Sequence, residues 1–199
     1  MDLITESLGV MMSGEQETPD VPAGYEQLDY VICPQSGQAG FEITGYTPIQ
    51  YDIQECKTSP YSLPTGSTTA DFSGTWNSHN PHYQLYYDSN SINFYERDFA
   101  ATALLPSRAA VVNGEYISRL RIDKTLSDSI CIGYTKLNEY VFTGAIYYYR
   151  IWRLTNENTL IYDFVPAKRI SDNKVGMYEK VNDVFYPSTT GTDFQAPTE

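Results

Sequence analysis

Lysine and arginine are missing from the first 56 residues of this chain, where ten acids stand without a single base; all thirteen basic residues lie at or beyond Lys57. The net charge of −12 therefore belongs mainly to the N-terminal part. A surface this poor in cations cannot replace the counterions of a phosphate backbone and is not drawn to an anionic bilayer, so neither nucleic acid nor membrane is expected as a partner. Cysteine is scarce as well. Cys33, Cys56 and Cys131 are too few and too scattered for a disulfide scaffold and form no C-x-x-C pair, so free, mostly buried thiols are expected. No apolar run approaches the roughly 18 residues of a membrane span. The opening Met-Asp-Leu-Ile-Thr-Glu carries acids where a secretory signal carries positive charge, and the expectation is a chain made and folded in a cytoplasm.

What is abundant is tyrosine: eighteen, against four methionines and two histidines. Aromatic and β-branched residues fit pleated sheets, and tyrosine also suits wet interfaces. With 199 residues and 41% apolar content, the chain can bury a real core, and an all-β protein is expected.

Residues 13–24 contain two prolines, two glycines and three acids with almost nothing to bury, the composition of a linker. Ahead of it, residues 1–12 bring Leu3, Ile4, Leu8, Met11 and Met12 to one helical face. So short a peptide is not stable alone, and it reads either as a frayed terminus or as an anchor that orders on a partner subunit. The anchor reading is preferred, because a polar tether behind five apolar residues is what attachment requires.

From Tyr25 to the end, short strands separated by turns are expected, forming one domain over residues 25–199. Ile49, Tyr51 and Ile53 alternate with polar neighbours and share one strand face. Asn113-Gly114 between two β-rich runs signals a hairpin whose second arm turns Tyr116, Leu120 and Ile122 inward and Arg119 and Arg121 outward. Ile146, Tyr149 and Ile151 can share an inner face only if a bulge separates the first two. Pro166 is expected to stop the strand from Leu160 to Val165, and Gly144 to relax the start of the preceding strand. Gly176 and Gly191 are expected to serve turns. So many short strands call for two antiparallel sheets packed face to face.

The runs Phe142-Thr-Gly-Ala-Ile-Tyr-Tyr-Tyr-Arg-Ile-Trp, Leu160-Ile-Tyr-Asp-Phe-Val-Pro-Ala-Lys-Arg, Gly176-Met-Tyr-Glu-Lys-Val-Asn-Asp-Val-Phe-Tyr and Gly191-Thr-Asp-Phe resemble a family of laminin-G-like, concanavalin A-like jelly rolls. That family is found in phage and prophage structural proteins and in surface proteins of gut bacteria. The resemblance covers most of Tyr25 to Phe194 and has no motif between Cys56 and Leu105. It implies a two-sheet antiparallel jelly-roll sandwich behind an N-terminal arm. It also implies a non-enzymatic accessory protein on the surface of a virion, assembled in the bacterial cytoplasm, held to other virion proteins by the arm and displaying a lectin-like domain. The alternative is a carbohydrate-binding module of a bacterial surface protein. Symmetric oligomers are common on particles, so self-association fits this reading.

Glycan-cleaving enzymes on this fold resemble one another in a Glu-x-Asp-x-x-Glu strand that supplies paired carboxylates. This chain has no such run, and Glu42, Asp52 and Glu55, the nearest acids, read as solvated strand faces. No serine or cysteine hydrolase pattern is legible, and no catalytic residue, cofactor or metal is expected. His79 and His82 lack two further ligands within sequence reach. A glycan site is sought in the aromatic and amide-rich segment 76–95, with Trp76 and Tyr86 as rings and Asn77 and Asp88 as hydrogen-bonding partners; the competing reading is that these rings belong to the core.

Overall fold

A computed structural model of the chain describes residues 20–46, 52–61, 70–74, 82–87, 92–97, 101–103, 110–111, 115–122, 129–134, 142–154 and 158–198. Among the described residues there are fifteen strands and no helix. In chain order they are β1 (Tyr25–Gln27), β2 (Val31–Cys33), β3 (Phe41–Ile43), β4 (Asp52–Pro60) and β5 (Ala70–Gly74). Next come β6 (His82–Tyr87), β7 (Ile92–Arg97), β8 (Ala101–Ala103), β9 (Ala110–Val111) and β10 (Glu115–Ile122). The last are β11 (Ile130–Ile132), β12 (Gly144–Leu154), β13 (Asn158–Arg169), β14 (Val175–Glu179) and β15 (Val184–Pro187).

They form two antiparallel sheets. The larger runs β15-β14-β13-β12-β4-β10-β8, with β1 beside β13, β2 beside β12 and β9 beside β10; the smaller runs β3-β11-β5-β6-β7. One buried cluster draws on both: Phe41, Phe72, Ile130 and Ile132 from the smaller sheet, and Ile122, Tyr149, Ile151 and Phe164 from the larger. Phe41 meets Phe164 with ring centroids 5.3 Å apart, so the sheets are joined by aromatic contact as well as by area removed from water. Phe194 of the C-terminal run reaches the same core. Gln195 closes it by exchanging two backbone hydrogen bonds with Ile32, of 2.8 and 3.0 Å.

Strand alternation was a good guide on β10. Ser118, Leu120 and Ile122 are buried, while Arg119 and Arg121 are half-exposed between them. Its hairpin partner β9 pairs Val111 with Glu115 and Ala110 with Tyr116. On β12 the expected bulge is present: Ile146 faces Thr58 of β4 but Tyr148 faces Lys57, leaving Tyr147 as the extra residue. That single insertion puts Ile146, Tyr149 and Ile151 together in the core. Gly144 opens the strand at φ 154°, where an added Cβ would stand 2.5 Å from the Ser59 carbonyl oxygen, so close approach of β4 requires glycine there.

β4 turns Gln54, Cys56 and Thr58 inward, and Ile53, although buried, lies on the opposite face across from Trp152 and Arg121. Gln54 is accommodated on that inner face by the Tyr149 hydroxyl, which donates to its Oε1 at 2.7 Å. Ile49 and Tyr51 lie outside the described residues. Two expectations, on Pro166 and Gly176, are corrected. Pro166 does not stop β13, which continues to Arg169. Its carbonyl accepts from the Leu28 amide at 3.1 Å, and an extended residue points its N and O to the same edge, so the missing N–H falls where β13 changes partner from β12 to β1. Gly176 is not in a turn: it sits inside β14 opposite Pro187, and a side chain there would collide with the backbone of Tyr186. Gly191, at φ 90°, does serve a turn.

Cys33, Cys56 and Cys131 are free and buried, as expected. Burial pushes the Cys33 and Cys56 thiols far above their ordinary range.

Of the linker, residues 20–24 are described and pack onto the domain. Val21 joins Val165, Ala167 and Tyr178 in a second small core, Asp20 pairs with Lys180 at 3.0 Å, and the Ile170 amide donates to Gly24 at 3.0 Å.

Candidate functional site

The glycan-site residues expected from sequence fall largely outside what is described. Trp76, Asn77 and Asp88 are among the undescribed residues, as are His79 and the anchor set Leu3, Ile4, Leu8, Met11 and Met12. Tyr86 is placed by its backbone alone, within β6 opposite Asp71 and Asn93. The three candidate acids are not brought together. Glu42 is on β3 of the smaller sheet, while Asp52 and Glu55 lie on opposite faces of β4. Asp52 is also not on a solvated face: its exposure is 0%. Among the described residues, no group of three or more His, Cys, Asp or Glu side chains could hold a metal ion.

Asp52 leads instead to a cleft at one end of the larger sheet. β12 alternates inward and outward until Arg153, opposite Asp52 of β4. The Arg153 guanidinium binds that carboxylate side-on, Nε to Oδ1 at 3.0 Å and Nη2 to Oδ2 at 3.1 Å. From the segment after β3, the Tyr46 hydroxyl donates to Asp52 Oδ2 at 2.6 Å. Burial, and then this bond to a carboxylate, push the Tyr46 phenol well above its ordinary value, and the bond to Asp52 raises the already basic Arg153. A carboxylate met by a bidentate guanidinium and a hydroxyl is satisfied although it has left water.

The opposite wall depends on Glu179, the last residue of β14, whose exposure is 0%. Its carboxylate accepts from the backbone amides of Asp163 and Val181 at 2.9 Å each, and from the Asn182 amide and side-chain Nδ2 at 2.7 Å each. Those bonds hold the β14–β15 turn, completed by Asp183 at φ 60°, a conformation that aspartate tolerates. Between the two walls lies a cleft of about 600 Å³ lined by Gly45, Tyr46, Arg153, residues 159–162, Val181 and Asn182. Tyr162 stands edge-on to Tyr46, with centroids 5.4 Å apart, and stacks on Phe164 beneath it. Rings, an amide, hydroxyls and one ion-paired guanidinium in a concave site are what a small polar ligand with apolar faces needs.

The outward face of the larger sheet is a different kind of surface. A ladder of alternating charge crosses it: Lys180 to Asp163 at 3.3 Å, Asp163 to Arg150 at 2.9 Å, and Glu55 to Arg119 at 3.8 Å, with the Tyr148 hydroxyl on Glu55 at 3.3 Å. Its rings are covered by cations, Arg150 lying 4.7 Å from the Tyr148 centroid and Lys57 4.6 Å from that of Tyr147. Faces occupied in this way are closed to a stacked ligand.

No family model, curated protein or solved structure matches the chain.

Sequence reasoning missed Tyr46, Arg153, Tyr162 and Asn182. The available signal was Arg153, a cation ending an apolar strand that its neighbours place in the core, and its register with Asp52 could not be read without the pairing of β4 with β12.

Proposed function

We propose that this chain is a non-catalytic accessory protein of a phage particle whose all-β domain, a concanavalin A-like jelly roll, binds glycans in the cleft between Arg153 and the β14–β15 turn. The observation that carries the reading is the cleft itself: Tyr46 and Tyr162 rings beside an amide and a charge-neutralised Arg153–Asp52 pair. Sugars offer C–H faces to rings and hydroxyls to polar groups, and both are met there. The separation of Glu42, Asp52 and Glu55 supports binding over hydrolysis, since a glycosidase needs two carboxylates flanking one bond. Attachment is assigned to Leu3, Ile4, Leu8, Met11 and Met12, ahead of the point where Asp20 is tied to the domain.

A ring-lined site of this size binds weakly by itself, and many copies on one particle multiply the effect. Val181 lies on the lip with 46% exposure, so Val181→Arg narrows the cleft without touching the core. On a glycan array, the variant should lose at least roughly tenfold in binding while its melting temperature moves by no more than about 2 °C. Unchanged binding by a folded Val181→Arg protein would place any glycan elsewhere.

The anchor is tested separately. Removing residues 1–19 retains the Asp20–Lys180 pair and the buried Val21, and should leave a folded domain that no longer co-sediments with the particle. If the truncated chain is incorporated in full, attachment resides on the domain surface.

A further inference from the structure

We infer, resting on the glycan reading of the cleft, that its ligand is a neutral sugar and that carboxylated and sulfated sugars are excluded. The reason lies in how the polar groups there are already committed. Arg153 is the single cation among the described lining residues, and its Nε and Nη2 are taken by Asp52. Tyr46 spends its proton on the same carboxylate. An incoming anion therefore meets a guanidinium whose charge is neutralised, with a buried carboxylate directly behind it.

Asn182 adds a second constraint. Its Nδ2 donates to Glu179 Oε2 at 2.7 Å and to the Ile161 carbonyl at 3.4 Å, which fixes the amide and leaves Oδ1 as the atom outside these bonds. An amide oxygen accepts only, so a partner must donate. A sugar hydroxyl donates, whereas a carboxylate or sulfate group set against Oδ1 cannot and is repelled there. Behind Asn182 the Glu179 carboxylate carries a further negative charge, and the chain as a whole carries −12. Short-range hydrogen-bond polarity and long-range field thus act in the same direction.

The test uses the full chain and matched oligosaccharide pairs that differ only in CH₂OH against COO⁻, in the galacto, gluco and manno series. Neutral members should bind at least roughly tenfold tighter than their uronic counterparts, and their affinity should hold between about 50 and 500 mM salt. Asp52→Asn removes the charge that neutralises Arg153. In a folded variant it should raise affinity for the uronic members severalfold, and that affinity should weaken with salt. Should Asp52→Asn fail to fold, the ratio of neutral to uronic affinities on the native chain decides in its place. Uronic members binding as well as neutral ones, or a folded Asp52→Asn protein with unchanged preference, would overturn the inference and leave the glycan reading standing. Failure of every neutral and acidic sugar to bind would instead overturn the glycan reading itself.

Discussion

Raising the pH from about 8 to 11 should strongly destabilise this protein, with the decline beginning near pH 9. Cys33 and Cys56 have an ordinary thiol value of 9.0, and Tyr46 an ordinary phenol value of 10.0, but in the folded chain burial pushes all three far higher. Above those ordinary values the unfolded chain releases protons that the folded chain retains. Stability from a raised group is fully present below its unfolded value and is lost as pH rises toward the folded one. Each group removes about 1.4 kcal/mol per pH unit across that window, so by about pH 11 the three together remove roughly 5 kcal/mol or more. Total stability of a domain is about 5–15 kcal/mol, so the loss is a large fraction of it. Tyr148, raised to about 12 chiefly by burial, adds a smaller contribution because solvent screens it. Thermal melts at successive pH values should show a plateau to about pH 9 and a steep fall beyond about pH 10. Replacing Cys33 and Cys56 by alanine should flatten the first part of that fall, and a melting temperature constant through pH 11 would contradict the assignment.

Glu179→Ala should be the most damaging single substitution on the cleft wall. It removes the acceptor for the amides of Asp163, Val181 and Asn182 together with the Asn182 side chain, and the Asp163 bond is buried. Orphaned buried donors each cost about 1–3 kcal/mol, and partial rescue by water at the turn brings the expected total to about 3–5 kcal/mol. For a chain of this length that is a fall in melting temperature of about 10 °C. Glu179→Gln retains one oxygen acceptor and should lose about half as much. Because the same bonds hold Val181 and Asn182 at the cleft, the glycan binding proposed for it should fall with both substitutions. A Glu179→Ala protein melting within about 2 °C of the native chain would mean the turn is held by other contacts.

How much was legible in the sequence followed the range of the interactions involved. The inward set Leu120 and Ile122, the bulge between Ile146 and Tyr149, and the hairpin joining β9 to β10 are consequences of period-two alternation and local turn chemistry, both readable from neighbouring residues. That the three thiols are unpaired follows from their number and scatter, and their burial from the apolar character of a free cysteine. The all-β, antiparallel character of the chain was settled by the same local signals.

Tertiary structure alone decided the rest. β4 carries polar side chains inward because Tyr149 and Arg153, about a hundred residues later, supply partners for Gln54 and Asp52. Pro166 remains within β13 because two different strands share one of its edges, and Gly176 is needed by the approach of β15 and not by a turn. The cleft joins Tyr46, Asp52, Arg153, Tyr162 and Asn182 from separate segments. Alternation reports which face of a strand a residue occupies; which strand lies opposite, and so which charge finds its partner, is set only when the sheets assemble.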